Sequence, residues 1–118
     1  MSKPFRIGIS PDFHTQAAGY FESALERNFG GISGVEIATL ANLTATPADL
    51  ENCDAILAMA LRVNAESVHG VTRPAIIARW GVGYDLLDVP ALSASAIALA
   101  ITPAGVRRPV AEAELTMI

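Results

Sequence analysis

Two glycines that follow a short apolar segment are the residues of this sequence best suited to bind a small anion. Gly81 and Gly83 flank Val82, directly after a predicted β-strand over Ala75–Trp80. Glycine adopts backbone conformations closed to other residues and lets a ligand approach closely. Consecutive N–H groups near the start of a helix, which Asp85 can cap, form an anion site. A substrate carboxylate would suit this loop.

The same loop does not fit the dinucleotide-binding fingerprint. GxGxxG would need glycine at position 86, where the sequence has Leu86. No strand with a ribose-binding acid follows at the expected distance either. Because Gly-rich turns also join strands to helices in many α/β folds, the two glycines alone leave a purely structural interpretation open.

The other residue types that could do chemistry are isolated along the chain. His14 follows the first predicted strand and can face a cleft, although a surface position is favoured. His69 lies beside Gly70 at the end of a predicted short helix, where a cation is stabilised by the helix dipole. Cys53 has no histidine near it in sequence and is predicted to be a buried apolar residue. No spacing of side chains predicts a metal site.

Composition and charge disfavour several classes of protein. The net charge is −4 and the only basic doublet is Arg107-Arg108, whereas nucleic-acid binding needs clustered cations. The most apolar stretch, residues 89–104, is interrupted by prolines and polar residues and is too short to span a membrane. No signal-peptide pattern appears, so a cytoplasmic location is expected. A length of 118 residues predicts one domain, and a single cysteine excludes an internal disulfide.

Helical segments alternate with short apolar strands. Five strands are predicted, over Phe5–Ser10, Val35–Leu40, Ala55–Ala60, Ala75–Trp80 and Ala96–Ile101. Helices are predicted over Thr15–Phe29, from Pro47 behind the N-cap Thr46, over Asn64–Val68, after Asp85 or Asp88, and from Val110 onward, behind a loop over Pro103–Pro109. This order predicts an α/β fold with a doubly wound, five-stranded parallel sheet and helices on both faces. Ligands of such sheets bind beyond the carboxyl ends of the strands, where the glycine loop is expected.

Two segments at the right separation resemble a known family. RWGVGYDLLDVPAL, followed after one predicted strand by ITPAGVRRPVAE, resembles the D-isomer-specific 2-hydroxyacid dehydrogenases, whose members have motifs close to RYGVGYDNID, NTPG and VAE. The resemblance is dense over residues 75–115 and only topological over residues 1–74. It implies a flavodoxin-like substrate-binding domain over residues 1–108, with residues 109–118 beginning the helix that leads to an absent NAD-binding domain.

The resemblance also implies which residues of the glycine loop meet a ligand. The backbone N–H groups of Val82 and Gly83, behind Gly81, would hold the substrate carboxylate. Val82 would also lie near the nicotinamide, and Val110 would lie at the start of the helix that faces the cofactor. Trp80 could wall the substrate cleft or pack under the sheet, and both possibilities stay open.

The loop after the third strand is the other substrate-facing element that the resemblance implies. Some members place a carboxylate-binding Arg or a Ser just before or at the position of Met59, whereas this chain has Ala58 and Met59 there. The departure favours a more apolar pocket than in those members. Arg62 could substitute from nearby, although a solvated arginine is favoured.

The activity implied is NAD- or NADP-dependent hydride transfer between a small 2-keto acid and a 2-hydroxy acid. This chemistry needs a proton donor and an arginine that polarises the substrate. In the family the Arg, Glu and His come from beyond the segment that corresponds to residues 1–118, so the resemblance implies no catalytic residue here. The chain alone is expected to be inactive and to bind no cofactor, and the complete enzyme could be a homodimer.

An alternative function is a non-catalytic flavodoxin-like module that binds a small anion or a partner protein. A receiver-like signalling domain is disfavoured, because it needs an acidic cluster at the carboxyl edge and a lysine on the fifth strand, whereas the only lysine is Lys3.

Overall fold

The protein is built around a five-stranded, all-parallel sheet. The computed structural model describes residues 2–118, and its strand order is β2-β1-β3-β4-β5. The strands are β1 Phe5–Ile9, β2 Val35–Thr39, β3 Ala55–Ala58, β4 Ile76–Arg79 and β5 Ala98–Ala100. The order reverses between β1 and β3, which is the flavodoxin-like doubly wound arrangement. The predicted fold class is confirmed. Each strand ends earlier than predicted, and β4 and β5 also begin later than predicted.

Helices pack on both faces of the sheet. The helices that pack there are α1 Phe13–Gln16, α2 Tyr20–Phe29, α3 Pro47–Glu51 and α4 Val89–Ala94. A 3₁₀ turn at Pro103–Gly105 and a last helix, α5 Arg107–Met117, follow β5. Phe13 and Phe21 of α1 and α2 pack on the β1 side chains of one face. Leu50 of α3 and Leu92 of α4 belong to a larger cluster on the other face. The alternation of side chains along each strand therefore separates two apolar cores.

Two predicted helices are corrected by the structure. The helix predicted over Thr15–Phe29 is two helices, because Gly19 has a φ of +79° and separates α1 from α2. The helix predicted over Asn64–Val68 is a turn. There the side-chain carbonyl of Asn64 accepts from the Ser67 N–H (2.9 Å), and the Ser67 hydroxyl accepts from the Asn64 N–H (3.1 Å). Such local side-chain bonds compete with helical hydrogen bonding.

The prediction of a loop over Pro103–Pro109 is also wrong. The 3₁₀ turn occupies its first half, and α5 begins at Arg107. Pro109 lies in the first turn of α5, where its missing N–H breaks no helical hydrogen bond. Every residue of α5 is exposed, and its main neighbour is the 3₁₀ turn before it. Among residues 2–118, no helix has the length and apolar character needed to cross a membrane.

Candidate anion site at the carboxyl edge of the sheet

The loop after β4 is held to the loop after β5 by reciprocal hydrogen bonds. The N–H of Gly81 donates to the Thr102 hydroxyl (2.8 Å), and the N–H of Thr102 donates to the Gly81 carbonyl (2.8 Å). Gly81 has a φ of +130°, a conformation that side-chain-bearing residues rarely adopt. The glycine loop and the segment that begins at Ile101 are therefore joined, through the hydrogen bonds between Gly81 and Thr102.

The next two residues of this loop present their N–H groups without an internal acceptor. Among the hydrogen bonds of residues 2–118, none uses the N–H of Val82 or of Gly83. Val82 is half-buried and Gly83 is exposed. Unused backbone N–H groups at the edge of a parallel sheet can donate to a carboxylate without breaking any internal hydrogen bond.

The second half of the loop is tied to the segment after β3. The Val63 N–H donates to the Leu86 carbonyl (2.9 Å), and the Asp88 N–H donates to the Val63 carbonyl (2.9 Å). The Asp88 carboxylate also accepts from the Ala91 N–H at 3.0 Å and caps α4. Asp88 is thus the helix cap, whereas Asp85 is exposed. The glycine loop is fixed at both of its ends.

Trp80 both packs against the core and reaches solvent. Its ring lies edge-on to Phe13 and Phe21, with centroid distances of 5.4 and 6.0 Å. Those two phenylalanines stack on each other at 4.1 Å, and 40% of Trp80 remains exposed. Because Trp80 directly precedes Gly81, its exposed part forms a wall beside the glycine loop.

Met59 lies in the loop after β3. Its side chain is partly buried and packs against the cluster that contains Ile7, Ile9, Phe13 and Phe21. Met59 and Trp80 therefore border the same apolar cluster, which their separation in sequence does not show. Arg62 follows as an exposed residue whose backbone bonds the Leu43 carbonyl, in agreement with the solvated position favoured for it.

A cleft of about 330 Å³ opens beside Trp80 on the face of the sheet that carries α1 and α2. Most of its lining is apolar and comes from Leu57, Ala78, Trp80 and Val106, while Thr102, Gly105 and the cationic Arg79 complete it. Val110, which the resemblance placed near the cofactor, is half-exposed on α5 just beyond this cleft. The cleft is thus mostly apolar, and it lies beside Trp80 and Thr102 rather than around Val82 and Gly83.

The remaining reactive side chains form no hydrogen bond with Gly81, Val82 or Gly83 within residues 2–118. His14 is exposed, with Nε2 2.9 Å from the Thr39 hydroxyl and Nδ1 3.5 Å from Glu22. His69 is exposed in the turn that replaces the predicted helix. Cys53 is buried as predicted, and burial raises the pKa of its thiol, which lowers its reactivity. Within residues 2–118, no three His, Cys, Asp or Glu side chains are grouped as metal ligands.

Sequence reasoning missed three residues of this edge as partners of the loops: Ser10, Asp12 and Thr102. Each is hydrogen-bonded to a residue at least 21 positions away. Thr102 lay within the second motif, but no sequence pattern links its hydroxyl to Gly81.

Fold and edge geometry define the class as a flavodoxin-like α/β domain whose ligand would bind at the carboxyl ends of its strands. Comparison with known families makes the assignment specific. The sequence model described as "D-isomer specific 2-hydroxyacid dehydrogenase, catalytic domain" matches residues 12–114. The chain belongs to this family, which is a family of oxidoreductases. No curated protein matches the chain.

Proposed function

We propose that this chain is the substrate-binding domain of an NAD- or NADP-dependent D-2-hydroxyacid dehydrogenase. The observation that supports this most strongly is the pair of unused N–H groups at Val82 and Gly83, in a loop held by Thr102. Two neighbouring donors equal in number the two oxygens of a carboxylate, and a bond between N–H and a charged oxygen is stronger than a neutral one. Residues 1–108 would form this domain, and residues 109–118 would begin the connection to a dinucleotide-binding domain.

In this proposal the residues of the chain bind and orient, and they do not transfer protons. The cofactor, when bound, supplies the hydride. Val82 and Val110 would face the nicotinamide side, whereas Trp80 and Met59 would line the substrate. The packing of both residues against the apolar cluster of Phe13 and Phe21 supports this assignment, because apolar side chains beside the substrate would exclude water from its carbonyl end. The Arg, Glu and His of the reaction would come from the cofactor-binding part of the enzyme.

Other parts of the proposal rest on the family alone. They include the choice of a small 2-keto or 2-hydroxy acid as substrate, the dependence on NAD or NADP, and a homodimer of the complete enzyme. The cytoplasmic location stays a prediction.

Replacing the residue that holds the loop tests the proposal. Thr102→Val removes the acceptor of the Gly81 N–H, so we expect pyruvate to bind about fivefold more weakly, in keeping with about 1 kcal/mol for one hydrogen bond. Calorimetric titration of pyruvate into both proteins measures this. Thr116→Val is the matched control, since its hydroxyl bonds only within α5, and it should leave binding unchanged. Equal affinity of Thr102→Val and the native chain for pyruvate would count against carboxylate binding at Val82 and Gly83.

A further inference from the structure

Three side chains meet at the carboxyl end of β2 and form what we call the Thr39 site. Nε2 of His14 lies 2.9 Å from the Thr39 hydroxyl, and Nδ1 of the same ring lies 3.5 Å from Oε1 of Glu22. The parallel pairing of Ile9 with Thr39 brings them together, because α1 begins soon after Ile9 and carries His14 to the end of β2. All three side chains of the site reach solvent.

Glu22 is held by the start of α2 as well as by its contact with His14. Its other carboxylate oxygen, Oε2, accepts from the Gly19 N–H in the capping box of α2. The N–H of Glu22 itself, and then that of Gly19, keep the pKa of Glu22 below its usual range, so the side chain is ionised at neutral pH. An ionised carboxylate beside Nδ1 orients the imidazole and stabilises its protonated form. With the Nδ1 proton facing Glu22, Nε2 is the proton acceptor for the Thr39 hydroxyl.

A hydroxyl, an imidazole and a carboxylate in this order are the parts of a nucleophilic site. The imidazole accepts the hydroxyl proton as the oxygen attacks a carbonyl carbon, and it returns the proton to the leaving group. The exposed N–H groups of Ala41 and Asn42 follow Thr39 in the chain, and no hydrogen bond within residues 2–118 uses them. Such free donors can stabilise the negative oxygen of a tetrahedral intermediate.

A groove of about 220 Å³ runs between α2 and β2 and meets the Thr39 site at Glu22. Its lining includes the apolar side chains of Leu25, Phe29, Val35 and Ile37, together with Glu22, Glu26 and Gly30. Ile37 lies on the same face of β2 as Thr39, because side chains alternate along a strand. An aliphatic chain fits this groove, whereas the two acids disfavour an anionic one.

We propose that Thr39, His14 and Glu22 form a site that hydrolyses esters of neutral aliphatic acids. This activity goes beyond the proposed function and uses none of its residues. Oγ1 of Thr39 forms a bond to the acyl carbon, the bond from that carbon to the alcohol oxygen breaks, and the His14 imidazolium protonates the departing oxygen. Water, deprotonated by the same imidazole, then releases the acid and restores the Thr39 hydroxyl. Thr39 and His14 are the catalytic residues, and Glu22 is a positioning residue.

Acylation by p-nitrophenyl butyrate tests the nucleophile and the base. We expect a burst of p-nitrophenol and one butyryl group that peptide mass spectrometry locates on Thr39. Thr39→Val should abolish both, whereas Thr39→Ser keeps a hydroxyl and should keep both. His14→Gln removes the base, so acylation should slow about hundredfold. His69→Gln is the matched control and should leave acylation unchanged, because His69 is an exposed histidine whose ring forms no hydrogen bond within residues 2–118.

The positioning role of Glu22 can be separated from its role in capping α2. Glu22→Gln keeps an oxygen for the Gly19 N–H but removes the charge beside His14, so kcat should fall at least about tenfold while KM stays unchanged. Urea unfolding should give the variant a free energy of unfolding close to the native value. An unchanged kcat would overturn the role of Glu22.

A shorter ester tests the substrate class. The butyrate ester should acylate Thr39 faster than p-nitrophenyl acetate, because its additional carbons enter the apolar groove. Faster acylation by the acetate ester would overturn the assignment of the groove to the acyl chain. No butyryl group on Thr39 in the native chain, or the same burst from Thr39→Val, would overturn the whole proposal.

Discussion

Gly8 shows how closely single residues are fitted around the sheet. A Cβ added to Gly8 would lie 2.7 Å from the Cys53 sulfur, 2.9 Å from Cδ1 of Ile56 and 3.1 Å from Cδ2 of Leu40. All three neighbours are buried, so none can move away freely. The larger core depends on glycine in the middle of β1.

Gly8→Ala should therefore destabilise the protein by about 1–3 kcal/mol, the usual effect of overpacking. Urea unfolding followed by circular dichroism measures the change. Gly31→Ala is the control, because a Cβ at Gly31 meets nothing within 4 Å, and its free energy of unfolding should stay within about 0.5 kcal/mol of the native value. Equal stability of the two variants would contradict the packing described.

The candidate site was predictable from sequence where the residues are local. Gly81, Val82 and Gly83 stand together after an apolar strand, so their type and order indicate an anion loop. The bond from Gly81 to Thr102, and those from Ser10 and Asp12 to the loop after β3, join distant positions. The strand order of the sheet brings these hydrogen-bonded residues together, and no local sequence pattern predicts that order.

The strands and most of α2 were predictable from the pattern of apolar residues, whereas the break at Gly19 that separates α1 from α2 was not. The turn over Asn64–Val68 was not, because two side chains there satisfy the backbone in place of helical bonds. The start of α5 was missed because Pro109 suggested a loop, although proline is tolerated in a first helical turn.

An ion pair at the amino edge of the sheet joins the segments before β3 and β4. Both guanidinium nitrogens that face Asp54, Nε and Nη2 of Arg73, lie 2.9 Å from its two carboxylate oxygens. The backbone N–H of Arg6 also donates to Asp54 (2.7 Å). The Arg73 side chain first, and then the Arg6 N–H, hold the pKa of Asp54 below its usual range.

Because the pKa of Asp54 is lower in the folded protein than in the unfolded chain, its ionised carboxylate stabilises the fold at pH values above the unfolded-state pKa. That stabilisation is lost as the pH falls through the folded-state pKa. We therefore expect native stability to decrease on acidification from about pH 4 downward. Asp54→Asn should be less stable than the native chain at pH 7 and should lose less on acidification. Urea unfolding at pH 7, 4 and 3 measures both slopes. If the free energy of unfolding falls equally with pH in the two proteins, Asp54 does not contribute to the pH dependence of stability.

At the scale of the whole molecule, the sheet and its two cores form one body and α5 stands apart. The radius of gyration is 15.2 Å, above the value of about 13–14 Å expected for a compact chain of this length. The exposed α5 carries Val110 and Leu115, which are 53% and 73% exposed. We interpret this helix as a connection that packs against another domain in the proposed enzyme.

Cofactor binding distinguishes the proposed domain from a self-sufficient dinucleotide-binding protein. The glycine loop lacks the GxGxxG pattern, so we expect the chain to bind no NADH. Titration followed by NADH fluorescence tests this, and a complete dehydrogenase of the same family serves as positive control. Saturable NADH binding by residues 1–118 would overturn the domain assignment.

Amide chemical shifts report directly whether Val82 and Gly83 hold a substrate carboxylate. In a ¹⁵N-labelled sample titrated with pyruvate, we expect saturable downfield shifts of the Val82 and Gly83 N–H resonances, because a charged oxygen would accept hydrogen bonds from them. Pyruvamide, which has no carboxylate, should leave these resonances in place. Pyruvate-induced shifts only at other residues, or no shift at these two amides, would show that the carboxylate is not bound there.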